Sequence, residues 1–163
     1  MVTPDLVGPG QESVWDYPRP PRLEVSARHV RIVHKGVTIA DSRRALRLLE
    51  TSHPPSWYIP PADISLAHLR AAAGSSFCEW KGRAVYCDIF VGDAVLASVG
   101  WRYPAPTPGF AALKDHVAFY AAPFDSVTID GEAVRPQPGG FYGGWITRDV
   151  VGPFKGIPGS QFW

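Results

Sequence analysis

Phe77-Cys78-Glu79-Trp80-Lys81-Gly82 runs directly into Arg83-Ala84-Val85-Tyr86-Cys87-Asp88-Ile89-Phe90-Val91. The second half of that stretch decides the fold. Val85, Cys87, Ile89 and Val91 alternate onto one face, with Tyr86, Asp88 and Phe90 on the other. Both faces are largely apolar, which predicts a central strand covered on both sides. The first half sets an acid, an indole and an amine in a row at the entrance to that strand.

Working outward, Gly92-Asp93 turns the chain into a second strand over 94–101. Upstream, Val30 and Ile32 alternate with Arg31, Lys35-Gly36 offers a turn, and Val37 and Ile39 restart the alternation, so a hairpin is expected. Residues 44–50 suit a strand or a helix, and the β context favours the strand. Downstream, 117–121 and 126–129 read as strands. Asp130-Gly131 between apolar residues is the strongest hairpin signal, because a type I′ turn needs positive φ. Four prolines make 51–61 irregular. Asp63 or Ser65 then caps a short helix running through Ala73 and stopped by Gly74, and a helical turn is expected near 110–115. The fold class is mainly β, with one or two short helices.

At 163 residues the chain is long enough to bury a core as one domain. Residues 1–22 carry little periodicity and many prolines, so they read as an extended arm packed on a single domain of 23–163, anchored by Val14, Trp15 and Tyr17. A net charge of +1 argues against nucleic acid as a partner. No apolar run is long enough for a bilayer, so no membrane association is expected. Cys78 and Cys87 are the only cysteines, too few for a disulfide framework, which points to a reducing cytoplasm.

Six tryptophans are the oddity of the composition. Aromatic, charged and glycine residues recur together at Trp101-Arg102-Tyr103 and at Gly139-Gly140-Phe141-Tyr142-Gly143-Gly144-Trp145, and with 77–82 these form three walls of one expected pocket. Its expected ligand-binding residues are Trp80, Trp101, Arg102, Tyr103, Tyr142 and Trp145. Indoles and phenols there supply apolar surface for a flat ligand. Glu79 and Lys81, at alternate positions of an extended segment, would share a face and act as acid and base or grip a polar group. A salt bridge at a strand entrance is the plainer reading of that pair. His53, in the proline-rich loop, is the candidate second proton carrier, against a role in holding the loop. His29, His34 and His68 are expected to face solvent.

Cys87 reads as core, and Cys78 beside Glu79 is a poor nucleophile. Eight residues separate the two thiols, which is no zinc-knuckle spacing, so no metal and no cofactor are expected. Gly152-Pro153-Phe154-Lys155-Gly156 lacks the phosphate-loop pattern. Arg43, Arg102 and Arg148 are candidate anion forks.

The segments Glu12-Ser13-Val14-Trp15-Asp16-Tyr17-Pro18-Arg19-Pro20, Glu50-Thr51-Ser52-His53, Phe77-Cys78-Glu79-Trp80-Lys81-Gly82, Asp115-His116-Val117-Ala118-Phe119-Tyr120 and Pro136-Gln137-Pro138-Gly139-Gly140-Phe141-Tyr142-Gly143-Gly144-Trp145 together resemble a family of uncharacterised bacterial proteins, domain of unknown function 427. The resemblance implies a β-tent, in which two antiparallel sheets meet at an angle around an aromatic-lined pocket. Relatives of that architecture include the thalidomide-binding domain of cereblon and B-type methionine sulfoxide reductases, which usually hold zinc with paired C-x-x-C motifs. This sequence lacks both pairs. The leading expectation is therefore a cytoplasmic protein whose pocket binds an unidentified small molecule. The alternatives are a small enzyme using Glu79 as general acid or base, and a homodimeric interaction module.

Overall fold

A computed structural model describes all 163 residues. The chain is mainly β, with several antiparallel sheets and no closed barrel. The strands are β1 (Glu12–Ser13), β2 (Arg22–Val25), β3 (Val30–His34), β4 (Val37–Ser42), β5 (Leu46–Leu49), β6 (Ser56–Tyr58), β7 (Leu69–Cys78) and β8 (Gly82–Val91). They continue with β9 (Ala94–Arg102), β10 (Val117–Phe119), β11 (Ser126–Ile129), β12 (Glu132–Ala133), β13 (Arg135–Pro136), β14 (Trp145–Ile146) and β15 (Val150–Val151). Two four-stranded sheets dominate, in the orders β10-β9-β8-β7 and β12-β11-β3-β4, and a three-stranded sheet β2-β5-β6 stands beside them.

The alternating residues do what their period requires. Val30 and Ile32 of β3 and Ile39 of β4 are fully buried, and they share one core with Cys87 and Ile89 of β8, Val99 of β9, and Val117 and Phe119 of β10. As the sequence requires, β8 is an inner strand, paired on both edges. The Lys35-Gly36 and Asp130-Gly131 turns take positive φ at both residues (49° and 75°, 50° and 80°) and close their hairpins as expected. His34 departs from its expected exposure. It is buried edge-on against Phe124, and its Nδ1 accepts from the Asp125 N–H at 3.2 Å.

The helix expected up to Ala73 does not form. Pro61–Asp63 and Leu66–His68 are single 3-10 turns, and the alanine run continues as the edge strand β7. Ladder pairing with β8 outweighs the helix preference of three alanines, and Gly74, at φ 97°, belongs to a bulge between Ala71 and Ser75. Within the proline-rich 51–61, β6 forms between Pro55 and Pro60 and buries Trp57 and Tyr58.

The N-terminal segment lies against the body. β1 pairs in parallel with β15, and Val14 and Tyr17 are buried with Leu49, Ile146 and Val150. The Trp15 indole N–H donates to the Pro153 carbonyl at 2.9 Å. Ser52 N–H donates to the Val14 carbonyl and Lys155 N–H to the Ser52 carbonyl. The arm, the 50–53 loop and the C-terminal segment are thereby laced together on one side of the cavity described next.

Candidate functional site

The cavity, about 470 Å³, lies above a second apolar cluster built from Leu46 and Leu48 of β5, Tyr58 of β6, Ala84 of β8, Tyr103, Phe110 and Leu113. Strand register supplies one wall. Tyr86, Trp101 and Ala118 lie side by side across β8, β9 and β10. Because successive strand residues face opposite ways, Trp101 reaches the cavity and Arg102 does not. Arg102 turns instead to Asp115, 3.0 Å away, and this corrects its expected place among the ligand contacts.

Trp145 is the second correction. Only 1 % exposed, it stacks on Trp57 with ring centroids 6.4 Å apart, and its indole N–H donates to the Phe119 carbonyl at 2.9 Å. It belongs to the main core, one residue beyond the loop that lines the cavity. The other expected residues, Glu79, Trp80, Lys81, His53, Trp101, Tyr103 and Tyr142, do line it.

Glu79 and Lys81 are not the side-by-side pair that an extended segment would make. Residues 79–81 form the turn between β7 and β8. Thr107 holds that turn, its hydroxyl donating to the Trp80 carbonyl at 2.6 Å and its N–H to the Lys81 carbonyl at 3.0 Å. Glu79 is left exposed, whereas the Lys81 ammonium tucks over the rings of Tyr103 (5.3 Å) and Tyr58 (6.0 Å). Burial works against the Lys81 charge, but Tyr58, Tyr103, Cys78 and Glu50 around it outweigh that effect and hold its pKa above the ordinary lysine value.

The enclosed carboxyl group is Glu50, which follows β5. Burial pushes its pKa up, Lys81, Arg19 and Lys155 pull it down, and the net shift is upward. His53 stands beside it, Nε2 3.7 Å from the Glu50 carboxylate. Burial, with Lys155, Arg19 and Lys81 adding to it, depresses the His53 pKa to about 4, so the ring is neutral.

Gln137 settles the tautomer. Its Oε1 accepts from the Gly144 N–H (3.1 Å), and its amide nitrogen contacts both the Lys155 carbonyl (2.9 Å) and His53 Nδ1 (3.0 Å). With the oxygen end committed to an N–H donor, both protons of the amide point at acceptors. His53 Nδ1 is therefore unprotonated, and Nε2 carries the proton. Gln137 stands in the Pro136–Trp145 segment that carries the family resemblance, but nothing local marks its role, because it is buried and its partners His53 and Lys155 are far off along the chain. The signal that could have found Glu50 is its place at a strand end three residues before His53.

The upper walls are Tyr120, Phe141, Tyr142 and Gly143, with Lys155 placing its ammonium 5.4 Å from the Tyr142 ring centroid. Trp101 is held between Tyr120 (centroids 4.8 Å apart) and the Tyr58 hydroxyl, to which its N–H donates at 3.2 Å. Cys87 is core, its thiol pushed up to about 11 by burial, and Cys78 lines the cavity; neither is in a disulfide.

Fold and site together define a mainly β protein with an open aromatic cavity carrying amines and one enclosed carboxyl. A family model described as domain of unknown function (DUF427) matches residues 22–130, and the chain belongs to that family. Gln137, Phe141, Tyr142, Gly143 and Lys155 complete the cavity from outside the matched segment. No curated protein matches the sequence. No helix is long and apolar enough to cross a membrane.

Proposed function

We propose that this protein binds a small molecule in the cavity between β8, β9 and the 137–144 loop. One observation carries the reading: a cavity of about 470 Å³ is left open where Trp101, Tyr58 and Tyr142 converge with the Lys81 ammonium and an enclosed carboxyl. That volume lies in the range of about 300–1,000 Å³ typical of metabolite and cofactor sites. The aromatic faces hold a flat body, and Lys81 and Glu50 orient it. Two unpaired thiols fit a reducing cytoplasm as the place of action.

Chemical-shift mapping with neutral, anionic and cationic aromatic fragments tests this. Perturbations should gather at Tyr58, Trp101 and Tyr142 and vanish in Trp101→Ala. A fragment set that leaves these residues unmoved would sink the reading.

A second reading is favoured by Glu50 and His53, whose pKa values are driven in opposite directions a few ångströms apart, as in acid–base pairs of enzymes. In that version Glu50, rather than Glu79, transfers the proton. Mass-spectrometric screening for turnover of a metabolite mixture checks it. Turnover that persists in Glu50→Gln would remove Glu50 from the role.

A further inference from the structure

We infer that the ligand of this cavity is an aromatic residue carried on a short extended peptide, whose backbone adds to the free edge of β7 while its ring enters the cavity. This rests on the proposal that the cavity is a ligand site and adds to it the chemical class of the ligand.

Strand order makes the edge. β7 is the outermost strand of the sheet β10-β9-β8-β7 and pairs with β8 on one side only. The outward backbone groups of 75–78 have no partner elsewhere in the chain. Free edges are ordinarily blunted by charges, prolines or bulges. Here the bulge at Gly74 ends before Ser75, and Ser75-Ser76-Phe77-Cys78 holds neither a charge nor a proline.

Register ties this edge to the cavity. Ser76 and Cys78 lie opposite Ala84 and Gly82 of β8, and Tyr86 lies opposite Trp101 of β9. With a period of two, Ser76, Cys78, Ala84 and Tyr86 share one face with Trp101, and all five line the cavity. The Tyr86 hydroxyl donates to Ser76 Oγ at 2.8 Å across that face. The cavity floor thus runs from β9 through β8 to β7 and stops at an unpaired backbone. A peptide added there sets every second side chain beside Ser76 and Cys78, on the cavity face. An aromatic side chain at that position meets Trp101 and Tyr58. Alternation assigns Phe77 to the opposite face, so it meets the cavity only at its lip and is 78 % exposed. A β-branched residue next to the aromatic one in the peptide covers it.

A second copy of the chain fits this edge less well. In a symmetric antiparallel pair of β7 strands, residues of the same face meet. Each copy would then offer its neighbour's cavity only serine and cysteine side chains, and about 470 Å³ would stay unfilled.

Isothermal titration of the whole protein with acetyl-Thr-Trp-Val-Thr-amide and acetyl-Trp-amide, both uncharged, tests the inference. The tetrapeptide should bind about tenfold or more tighter, the step expected of two or three added backbone hydrogen bonds. N-methylation should abolish that gain at alternate residues and spare those between, because only every second amide faces the edge. Replacing the peptide's tryptophan by alanine should remove binding, and Phe77→Ser should weaken the tetrapeptide more than the amide. Equal binding of tetrapeptide and amide, or N-methyl losses that do not alternate, overturns the edge pairing and leaves the ligand-site reading standing. Binding of neither overturns the peptide, and overturns the ligand site too if aromatic fragments also leave Trp101 unmoved. A dimer in sedimentation that Phe77→Ser abolishes assigns the edge to a second copy and overturns the inference.

Discussion

Gly143 lies directly under the Trp101 indole: a Cβ built on that glycine would stand 2.1 Å from Cη2 of the ring. The glycine-rich loop is thus seated on the cavity wall, and the glycine at 143 is explained by that contact. A methyl at this position has to displace either the indole, already held by Tyr58 and Tyr120, or the loop itself. Gly143→Ala should cost about 1–3 kcal/mol, as overpacking does. It should also shift the Trp101 indole N–H resonance and weaken binding of aromatic fragments. An unchanged resonance together with wild-type unfolding would contradict the close approach.

Gln137 controls the protonation of His53, and Gln137→Glu reverses the instruction. A carboxylate oxygen would then face Nδ1 and favour a proton there. It would also introduce a negative charge that offsets Lys155, Arg19 and Lys81, the cations that help depress the His53 pKa to about 4. Nitrogen-15 chemical shifts of the ring should report Nε2–H in the wild type and a protonated Nδ1 in the variant, with the pKa raised. Identical ring shifts in the two proteins would mean that Gln137 does not set the tautomer.

Acid should destabilise the fold through the same histidine. Its folded pKa of about 4 lies below the ordinary value of 6.5, so between these values the unfolded chain binds a proton that the folded chain does not. The contribution is present above pH 6.5 and is lost as pH falls toward 4, with a slope of at most about 1.4 kcal/mol per pH unit. Glu50 has the opposite sign. Its folded pKa is raised, so its contribution is present below its unfolded value and is lost as pH rises through the folded one. Urea unfolding across pH 4–7 should show a flattened acid limb in His53→Gln and a steeper one in Glu50→Gln. Parallel curves for the wild type and His53→Gln would remove His53 from the account.

Much of the fold is legible in the residues because the signals are local. Asp130-Gly131 and Lys35-Gly36 specify their own turns, and the alternation of Val30, Arg31 and Ile32 fixes which side chains are buried. Ala71-Ala72-Ala73-Gly74 is misread because its local preference is helical while its partner is β8, a pairing that no local rule supplies. The site divides in the same way. Trp101, Tyr103, Lys81 and Tyr142 stand out as aromatic and charged residues near glycines. Glu50 becomes the enclosed carboxyl only once β5 is laid beside β6, and Gln137 becomes a tautomer switch only once two distant loops meet. Its neighbours in the chain group Trp145 with the cavity, yet strand alternation and the Pro55 carbonyl, which accepts from its backbone N–H, send it into the core.

That division between two tryptophans of similar local context yields the sharpest mutational contrast. Trp145 is sealed in the main core with a hydrogen-bonded indole nitrogen, so Trp145→Ala leaves a large void and an unsatisfied Phe119 carbonyl. A loss of roughly 3–5 kcal/mol is expected, enough to unfold a marginal domain at moderate temperature. Trp101 is only half-buried and borders open space, so Trp101→Ala removes less contact, about 1–2 kcal/mol, while enlarging the cavity and taking away its main stacking face. Paired denaturant unfolding and fragment titration of the two variants measure both quantities. Trp145→Ala should fail by stability, and Trp101→Ala by binding in a protein that still folds. Equal stability losses in the two variants would make Trp101 a core residue and remove the aromatic wall from the site.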